Sequence, residues 1–162
     1  LLDRMEAESI PIKPKFEVYG RGILEEELKE LTKKLNISDR VYFNGYIPNI
    51  NVPEAINGMD IFCLGSESES ESFGVAAVEA MACAVPVIAT DVSGFKEVMV
   101  NGETGFIVPR KDENAMAEAM YNLMLNSELR KKMGKNGRKR VIELYDWKKN
   151  VDIMERLYSE YI

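Results

Sequence analysis

Histidine is absent from this sequence, and cysteine occurs only twice among its 162 residues. Without histidine, the chain cannot supply a histidine-activated nucleophile, and no cluster of cysteines and histidines forms a zinc site. Cys63 and Cys83 each lie in an apolar run, which is typical of buried thiols in a reducing compartment rather than of a disulfide. These residue types therefore predict a protein without a disulfide and without a metal site.

Long apolar runs and an excess of positive charge are missing as well. No apolar stretch approaches the roughly 18 residues of a membrane-spanning helix. The 21 Lys and Arg residues are outnumbered by 27 Asp and Glu, for a net charge of −6, which argues against a nucleic-acid surface. A hydrophobic content of 46% is ordinary for a soluble globular protein, and the length suits one domain. We therefore expect a cytoplasmic protein.

Apolar runs of strand length alternate with helical patterns along the chain. The predicted strands are Phe16–Tyr19, Arg40–Phe43, Ile61–Leu64, Pro86–Ala89 and Gly105–Val108. The predicted helices are Leu1–Glu8, Ile23–Leu35, Val52–Gly58, Phe73–Ala84, Phe95–Val100, Glu113–Leu125, Ser127–Leu144 and Trp147–Tyr161, with Asp112 and Asn126 as helix caps. This alternation favours a doubly wound, Rossmann-like parallel α/β sheet, whose ligands bind beyond the carboxyl ends of the strands.

The segment ESFGVAAVEAMACAVP, residues 71–86, carries the clearest functional signal. Its run VAAVEAMACA has no polar face, and a helix that is apolar all round is normally buried. A buried carboxylate at Glu79 would cost several kcal/mol unless a partner hydrogen-bonded it. We therefore interpret Glu79 as the contact of a ligand.

The spacing around this helix start suits an anionic ligand. Glu79 lies eight positions after Glu71, so their Cα atoms would lie about 12 Å apart along a helix axis. Between them, the free N–H groups and the positive dipole end of the helix favour a phosphate, and Gly74 admits it close to the backbone. A nucleotide sugar presents the matching order of sugar hydroxyls, diphosphate and ribose hydroxyls.

A purely structural interpretation also fits these features. An alanine-rich helix between two strands is ordinary α/β core, and a lone glutamate in it can pair with a backbone group or an arginine. The serine–glutamate alternation at 66–72 is typical of a solvated loop, in which only Glu71 has the register of the motif. The Gly-x-Gly turn at 20–22 needs no ligand, and Arg21 is equally well explained as a solvated side chain.

Several segments in the same order resemble one known family. Residues 71–109 closely resemble the carboxy-terminal domain of the retaining glycosyltransferases of family 4, which have the GT-B fold, and Glu71 and Glu79 match that family's E-x7-E motif. Three further segments are similar to the same domain: FEVYGRGILEEELKELTKKLNISDRVYFNGYIPN, MDIFCLGSESESESFG and YDWKKNVDIMERLY.

The resemblance implies a donor-binding domain and a role for each site residue. Residues 1–146 would form the nucleotide-sugar-binding domain, and residues 147–162 a terminal helix that packs toward an amino-terminal acceptor domain. Glu71 would be the catalytic residue, accepting hydroxyls of the transferred sugar, and Glu79 would hold the ribose hydroxyls. The other implied roles are contacts to the donor diphosphate from Ser72, Phe73, Gly74 and Val75, and proximity to the nucleobase for Tyr46, Ile47, Gly20 and Arg21.

The same resemblance implies a reaction and a setting. A sugar would pass from a nucleoside diphosphate sugar to a hydroxyl with retained anomeric configuration, without a cofactor or metal. The setting would be cell-surface polysaccharide or glycolipid synthesis, in the cytoplasm or at the inner face of the membrane through the amino-terminal domain. Two alternatives stay open, a GT-B nucleotide-sugar epimerase and a non-enzymatic nucleotide-binding module. The sequence names neither the base, the sugar nor the acceptor.

The chain departs from the family pattern at two residues and at its start. Ala84 and Ser93 stand where glycine is usual, and a positive φ at Ala84 would cost about 1 kcal/mol. The family's domain opens with a central strand that carries an arginine and then a lysine, and this sequence starts at the following helix. That strand normally lies between 16–19 and 61–64. We expect these two segments not to pair directly, because closure would crowd the phosphate seat.

Overall fold

The computed structural model describes residues 1–67 and 73–160, in which short strands alternate with helices. The strands are β1 (Phe16–Tyr19), β2 (Val41–Gly45), β3 (Phe62–Leu64), β4 (Val87–Thr90) and β5 (Gly105–Val108). The helices are α1 (Leu2–Ala7), α2 (Glu25–Lys34), α3 (Val52–Asn57), α4 (Val75–Ala82), α5 (Ser93–Val98), α6 (Glu113–Leu125), α7 (Ser127–Leu144) and α8 (Trp147–Ser159). Four elements, β1, β5, α6 and α7, have the predicted bounds, and the others differ by one or two residues at one or both ends.

The strands form two parallel sheets. In one sheet β1 pairs with β2, and in the other β4 lies between β3 and β5. The parallel pairing confirms the predicted α/β class. Where a single doubly wound sheet was expected, the hydrogen bonds define two. Within the described residues no ladder joins β1 to β3, so the direct pairing of 16–19 with 61–64 that we expected not to form is not observed.

The chain divides into two compact units, Leu1–Val52 and Pro53–Ile162. The first unit holds α1, β1, α2 and β2, and the second holds β3 to β5 and α4 to α8. In the first unit, α2 has three glutamates in its first turn and lysines in its last turn. This arrangement complements the helix dipole and supports a helix that buries none of its residues fully.

The core of the second unit lies around β4, whose four residues are all buried. A central strand of a parallel sheet is covered on both faces, which explains its continuous run of small and branched side chains. Ile88 of β4 packs in one cluster with Leu123 of α6 and Met133 of α7. The loop that follows β4 therefore starts from a strand that is held in the core, next to the end of β3.

Side-chain caps begin the last three helices. The Asp112 carboxylate accepts a hydrogen bond from Ala115 N at 2.8 Å, and Asn126 Oδ1 accepts one from Leu129 N at 2.9 Å. Asp146 caps α8 in the same way. The predicted caps at Asp112 and Asn126 are confirmed, because each side chain satisfies an amide that lacks a partner within its helix.

Close packing between α4 and α7 depends on a glycine. A Cβ placed on Gly134 would lie 1.9 Å from the carbonyl oxygen of Ala84, so only glycine permits this approach. Ala84 itself has a φ of +59°. The left-handed conformation that the family's usual glycine suggested is therefore present, with an alanine in it.

Candidate functional site

The start of α4 forms the centre of the candidate site in the second unit. Gly74 precedes the helix with a φ of +72° and is buried, and a Cβ on it would lie 2.8 Å from a ring carbon of Phe95. No side-chain hydrogen bond caps this helix start among the described residues. The first turn of α4, with its backbone amides, thus follows a position whose backbone conformation and surroundings both require glycine.

Glu79 is exposed, so the expectation that its carboxylate is buried is wrong. The helix α4 is apolar on nearly all sides, but only Ala77, Ala80 and Met81 are buried. Val75 is 59% exposed and lies one turn before Glu79, so the two side chains share a face. The cost of burying a charge therefore does not point to a ligand at Glu79. What remains is an open face, next to the helix start, that combines an apolar residue with a carboxylate.

Two of the predicted site residues, Glu71 and Ser72, lie outside the described residues. Phe73, which follows them, is 40% exposed. Its ring meets the ring of Tyr145 edge-on, with centroids 5.4 Å apart and planes at 85°. We did not single out Tyr145 from the sequence, although it opens the aromatic segment YDW that contributed to the family resemblance.

A buried hydroxyl joins two loops at the carboxyl ends of β3 and β4. Thr90 is 6% exposed, and its Oγ1 donates a hydrogen bond to the carbonyl oxygen of Ser66 at 2.6 Å. Next to Ser66, Glu67 forms an ion pair with Lys111 at 3.4 Å. These contacts hold the start of the serine–glutamate segment. The sequence did not predict this hydrogen bond, for which the signal was a hydroxyl residue ending a buried apolar strand.

The nucleobase-proximal residues predicted from the resemblance lie in the first unit. The amide of Gly20 donates to the carbonyl oxygen of Gly45 at 2.8 Å, which brings the turns after β1 and β2 together. Tyr46 is 65% exposed, Ile47 is half-buried, and Arg21 is exposed. The two turns thus meet at one edge of their sheet, as expected for the carboxyl ends of parallel strands.

A polar cluster on the same pair of strands was not anticipated. Tyr19 Oη donates a 2.6 Å hydrogen bond to Glu17 Oε2, and Asn44 Nδ2 lies 3.4 Å from the same oxygen. The hydrogen bond to Glu17 favours the neutral phenol and raises the pKa of Tyr19. Tyr19 is therefore a hydrogen-bond donor at neutral pH.

Neither cysteine has the properties of a nucleophile. Both are free and partly buried. Burial raises the pKa of the Cys63 thiol to about 12 and also raises that of Cys83. Thiols with raised pKa values are poorly reactive, so the predicted structural role fits both residues.

Within residues 1–67 and 73–160, no three histidine, cysteine or acidic side chains are grouped so that they could hold a metal ion. No helix in the same ranges has both the length and the apolar character that crossing a bilayer requires.

Sequence comparison decides the family. The profile of the family described as glycosyl transferases group 1 matches residues 7–140. The chain belongs to this family. It is 38% identical over 131 residues to N-acetyl-alpha-D-glucosaminyl L-malate synthase of Bacillus anthracis. This match covers 81% of the chain and 33% of that relative. It is 33% identical over 142 residues to the phosphatidyl-myo-inositol mannosyltransferase of Mycobacterium leprae, covering 88% of the chain and 37% of that protein.

Structure comparison agrees with the family on the fold. The chain superposes on the HepE protein of Anabaena, solved in complex with UDP, with a TM-score of 0.81 and 24% identity. The match covers 94% of this chain and 43% of HepE. The group 1 chain thus has the Rossmann-like α/β fold of a GT-B glycosyltransferase domain, and it spans about a third of the length of the two curated relatives.

Proposed function

We propose that this chain is the donor-binding half of a retaining glycosyltransferase of family 4. The observation that carries the proposal is the start of α4, where a left-handed Gly74 precedes a first turn without a described side-chain cap. The open face from Val75 to Glu79 continues from that turn. Free helix amides favour a phosphate, and an exposed carboxylate accepts hydrogen bonds from hydroxyls. Membership of the group 1 family and the UDP bound by HepE support a nucleoside diphosphate as the ligand.

Each part of the donor then has its own contacts. The backbone amides of Phe73, Gly74 and Val75, with Ser72, would bind the diphosphate. Glu79 would accept the two ribose hydroxyls, and Glu71 would accept hydroxyls of the sugar. The nucleobase would lie near Tyr46, Ile47, Gly20 and Arg21.

The proposed chemistry depends on stabilising the leaving group. The bond between the anomeric carbon and the diphosphate oxygen breaks, and a bond to the acceptor oxygen forms on the same face of the sugar. The acceptor proton leaves with the diphosphate. Amide donors at a helix start stabilise the negative charge that develops on the diphosphate, which is the reason for proposing a metal-independent transfer.

The cellular role of the enzyme and the assignment of acceptor binding to another domain are parts of the same proposal. The relative from M. leprae is named for transfer to a phosphatidyl-inositol, which supports a role in glycolipid or polysaccharide synthesis on the cytoplasmic side of the membrane. Acceptor binding would belong to an amino-terminal domain, toward which α8 would pack. We therefore propose that the 162-residue chain alone binds the nucleotide but does not transfer sugar.

Substitution of Glu71 in the full-length enzyme tests this assignment. We expect Glu71→Ala to abolish transfer while UDP, GDP or ADP, whichever is the native nucleotide, still binds with unchanged affinity. Glu69→Ala is the matched control, because Glu69 lies in the same serine–glutamate segment but outside the motif register, and it should retain activity. Retention of configuration is read from the anomeric proton couplings of the product.

Three results would contradict the assignment. Equal loss of affinity for the nucleotide and for the nucleotide sugar would place Glu71 on the nucleotide. Inversion at the anomeric carbon would remove the retaining class. Interconversion of nucleotide sugars in the absence of any acceptor would favour the epimerase.

A further inference from the structure

The positive charge of this acidic protein is concentrated in one segment. Residues 127–149 hold nine of the 21 basic residues and three of the 27 acidic residues, so they carry six net positive charges in a chain whose net charge is −6. Seven of these basic residues belong to the single helix α7. Surface charges separated by more than about 8 Å are largely screened at physiological ionic strength, so a partner at α7 responds to this local charge.

The lysines of α7 form one exposed face. The helix buries Met133, Gly134 and Gly137 against the second unit. On the opposite side, the exposed lysines recur at helical spacing, and we call them the basic face: Lys131, Lys132, Lys135 and Lys139. Spacings of three and four residues place these side chains in a continuous stripe along the helix.

In the described residues, the acidic partners of this stripe lie at its two ends. Lys131 pairs with Glu128 at 3.2 Å, and Lys139 lies 3.8 Å from Glu143. Within the described part of the chain, Lys132 and Lys135 have no carboxylate within 4.0 Å, the limit for an ion pair. The middle of the basic face is therefore positively charged and not neutralised by the protein.

Exposed apolar residues continue the basic face toward the end of α7. Ile142 is 48% exposed and follows Lys135 and Lys139 in the same helical register. Trp147, three residues beyond the end of α7, is 82% exposed. Lysine stems and an exposed isoleucine on α7, followed by an exposed tryptophan at the start of α8, match the interfacial zone of a lipid bilayer, where amphipathic side chains rest with their charges in the headgroup layer.

We propose that the basic face of α7 docks on an anionic membrane surface. The lysines attract acidic headgroups, while Ile142 and Trp147 enter the boundary between headgroups and acyl chains. The apolar residues favour a lipid surface over a polynucleotide, because the phosphate backbone offers no apolar layer beneath its charge.

The 162-residue chain and phospholipid vesicles suffice for the test. Trp147 is the single tryptophan of the sequence, so its emission reports contact at this site directly. We expect binding to vesicles of equal parts phosphatidylglycerol and phosphatidylcholine, with a blue shift of the emission, and none to pure phosphatidylcholine. Each lysine near an anionic surface contributes about fivefold in affinity. The double substitution Lys132→Glu/Lys135→Glu should therefore weaken binding at least about tenfold.

A matched control separates a specific surface from general attraction. Lys13→Glu/Lys34→Glu makes the same change in net charge at two exposed lysines of the first unit, and it should bind as the unsubstituted chain does. Circular dichroism verifies the fold of both double variants. The proposal is wrong if anionic vesicles are not bound at low salt, or if both double variants lose binding equally. Binding without a shift of Trp147 emission, or tighter binding to double-stranded DNA than to vesicles, would also overturn it.

Discussion

Ala84 holds a left-handed backbone conformation, with a φ of +59°, at the turn that follows α4. A residue with a Cβ pays roughly 1 to 2 kcal/mol for this conformation, while glycine loses several tenths more in chain entropy on folding. We expect Ala84→Gly to raise the free energy of unfolding by about 0.5 to 1 kcal/mol, measured by urea denaturation.

The same substitution in the neighbouring helix is the control for this effect. Ala82 is the last residue of α4, where glycine gains no strain relief, so Ala82→Gly should lower the free energy of unfolding by up to about 1 kcal/mol. A stability loss of equal size in both variants would show that Ala84 is not strained.

Glu79 tests the proposed ribose contact with little risk to the fold. Because its side chain is exposed, Glu79→Gln should change the free energy of unfolding by less than about 0.5 kcal/mol. Loss of a charge-assisted hydrogen bond should weaken nucleotide binding by roughly 1 to 2 kcal/mol, which calorimetry would measure. Glu97→Gln, at an exposed glutamate of α5, is the control. Equal affinities in the two variants would remove Glu79 from the site.

The residue scale is also where sequence reasoning went wrong. The composition of VAAVEAMACA suggested that Glu79 is buried, yet it lies with Val75 on an open face. A helix that is apolar all round can pack on the core with one side and leave the other side exposed. Composition alone does not tell which apolar side is buried. The positive φ at Ala84, in contrast, followed from a single departure from the family's glycine.

At the scale of elements, the contact of α7 with the turn after α4 reverses the usual effect of a Gly→Ala substitution on the free energy of unfolding. Gly→Ala in a helix interior normally stabilises by roughly 0.5 to 1 kcal/mol. Here a Cβ on Gly134 would lie 1.9 Å from the Ala84 carbonyl oxygen. We expect Gly134→Ala to lower the free energy of unfolding by about 2 kcal/mol or more, because backbone must move to admit the methyl group.

Gly137, on the same helix, is a less crowded position at which the same substitution can be compared. A Cβ there would lie 3.0 Å from Met81 Cγ, which belongs to a flexible side chain. Gly137→Ala should therefore cost clearly less than Gly134→Ala in the same urea denaturation experiment. Stabilisation by both substitutions would contradict the close approach of α7 to Ala84.

The positions of most elements followed from the sequence, because apolar periodicity and capping side chains act locally. The bounds of α6 and α7 were predicted from Asp112, Asn126 and the apolar spacing after them. The hydrogen bond of Thr90 was not predicted, because its partner is the backbone of Ser66, 24 residues away. Contacts of that kind depend on which strands lie side by side, which local pattern does not report.

At the scale of the whole molecule, the chain matches only a part of each relative's length. It spans 33% of the B. anthracis relative and 43% of HepE. The alternation of strands and helices predicted one sheet, and the hydrogen bonds define two, in separate compact units.

The central claim is that the start of α4 binds the diphosphate of a nucleotide. Titration of the 162-residue chain with UDP, followed by amide chemical shifts, tests it most directly, with GDP and ADP as alternative bases and uridine as the control without phosphates. We predict saturable shifts at Gly74, Val75 and Glu79 with at least one diphosphate, and weaker or no shifts with uridine. No saturable shifts with any of the three diphosphates, or shifts confined to other parts of the chain, would contradict the account.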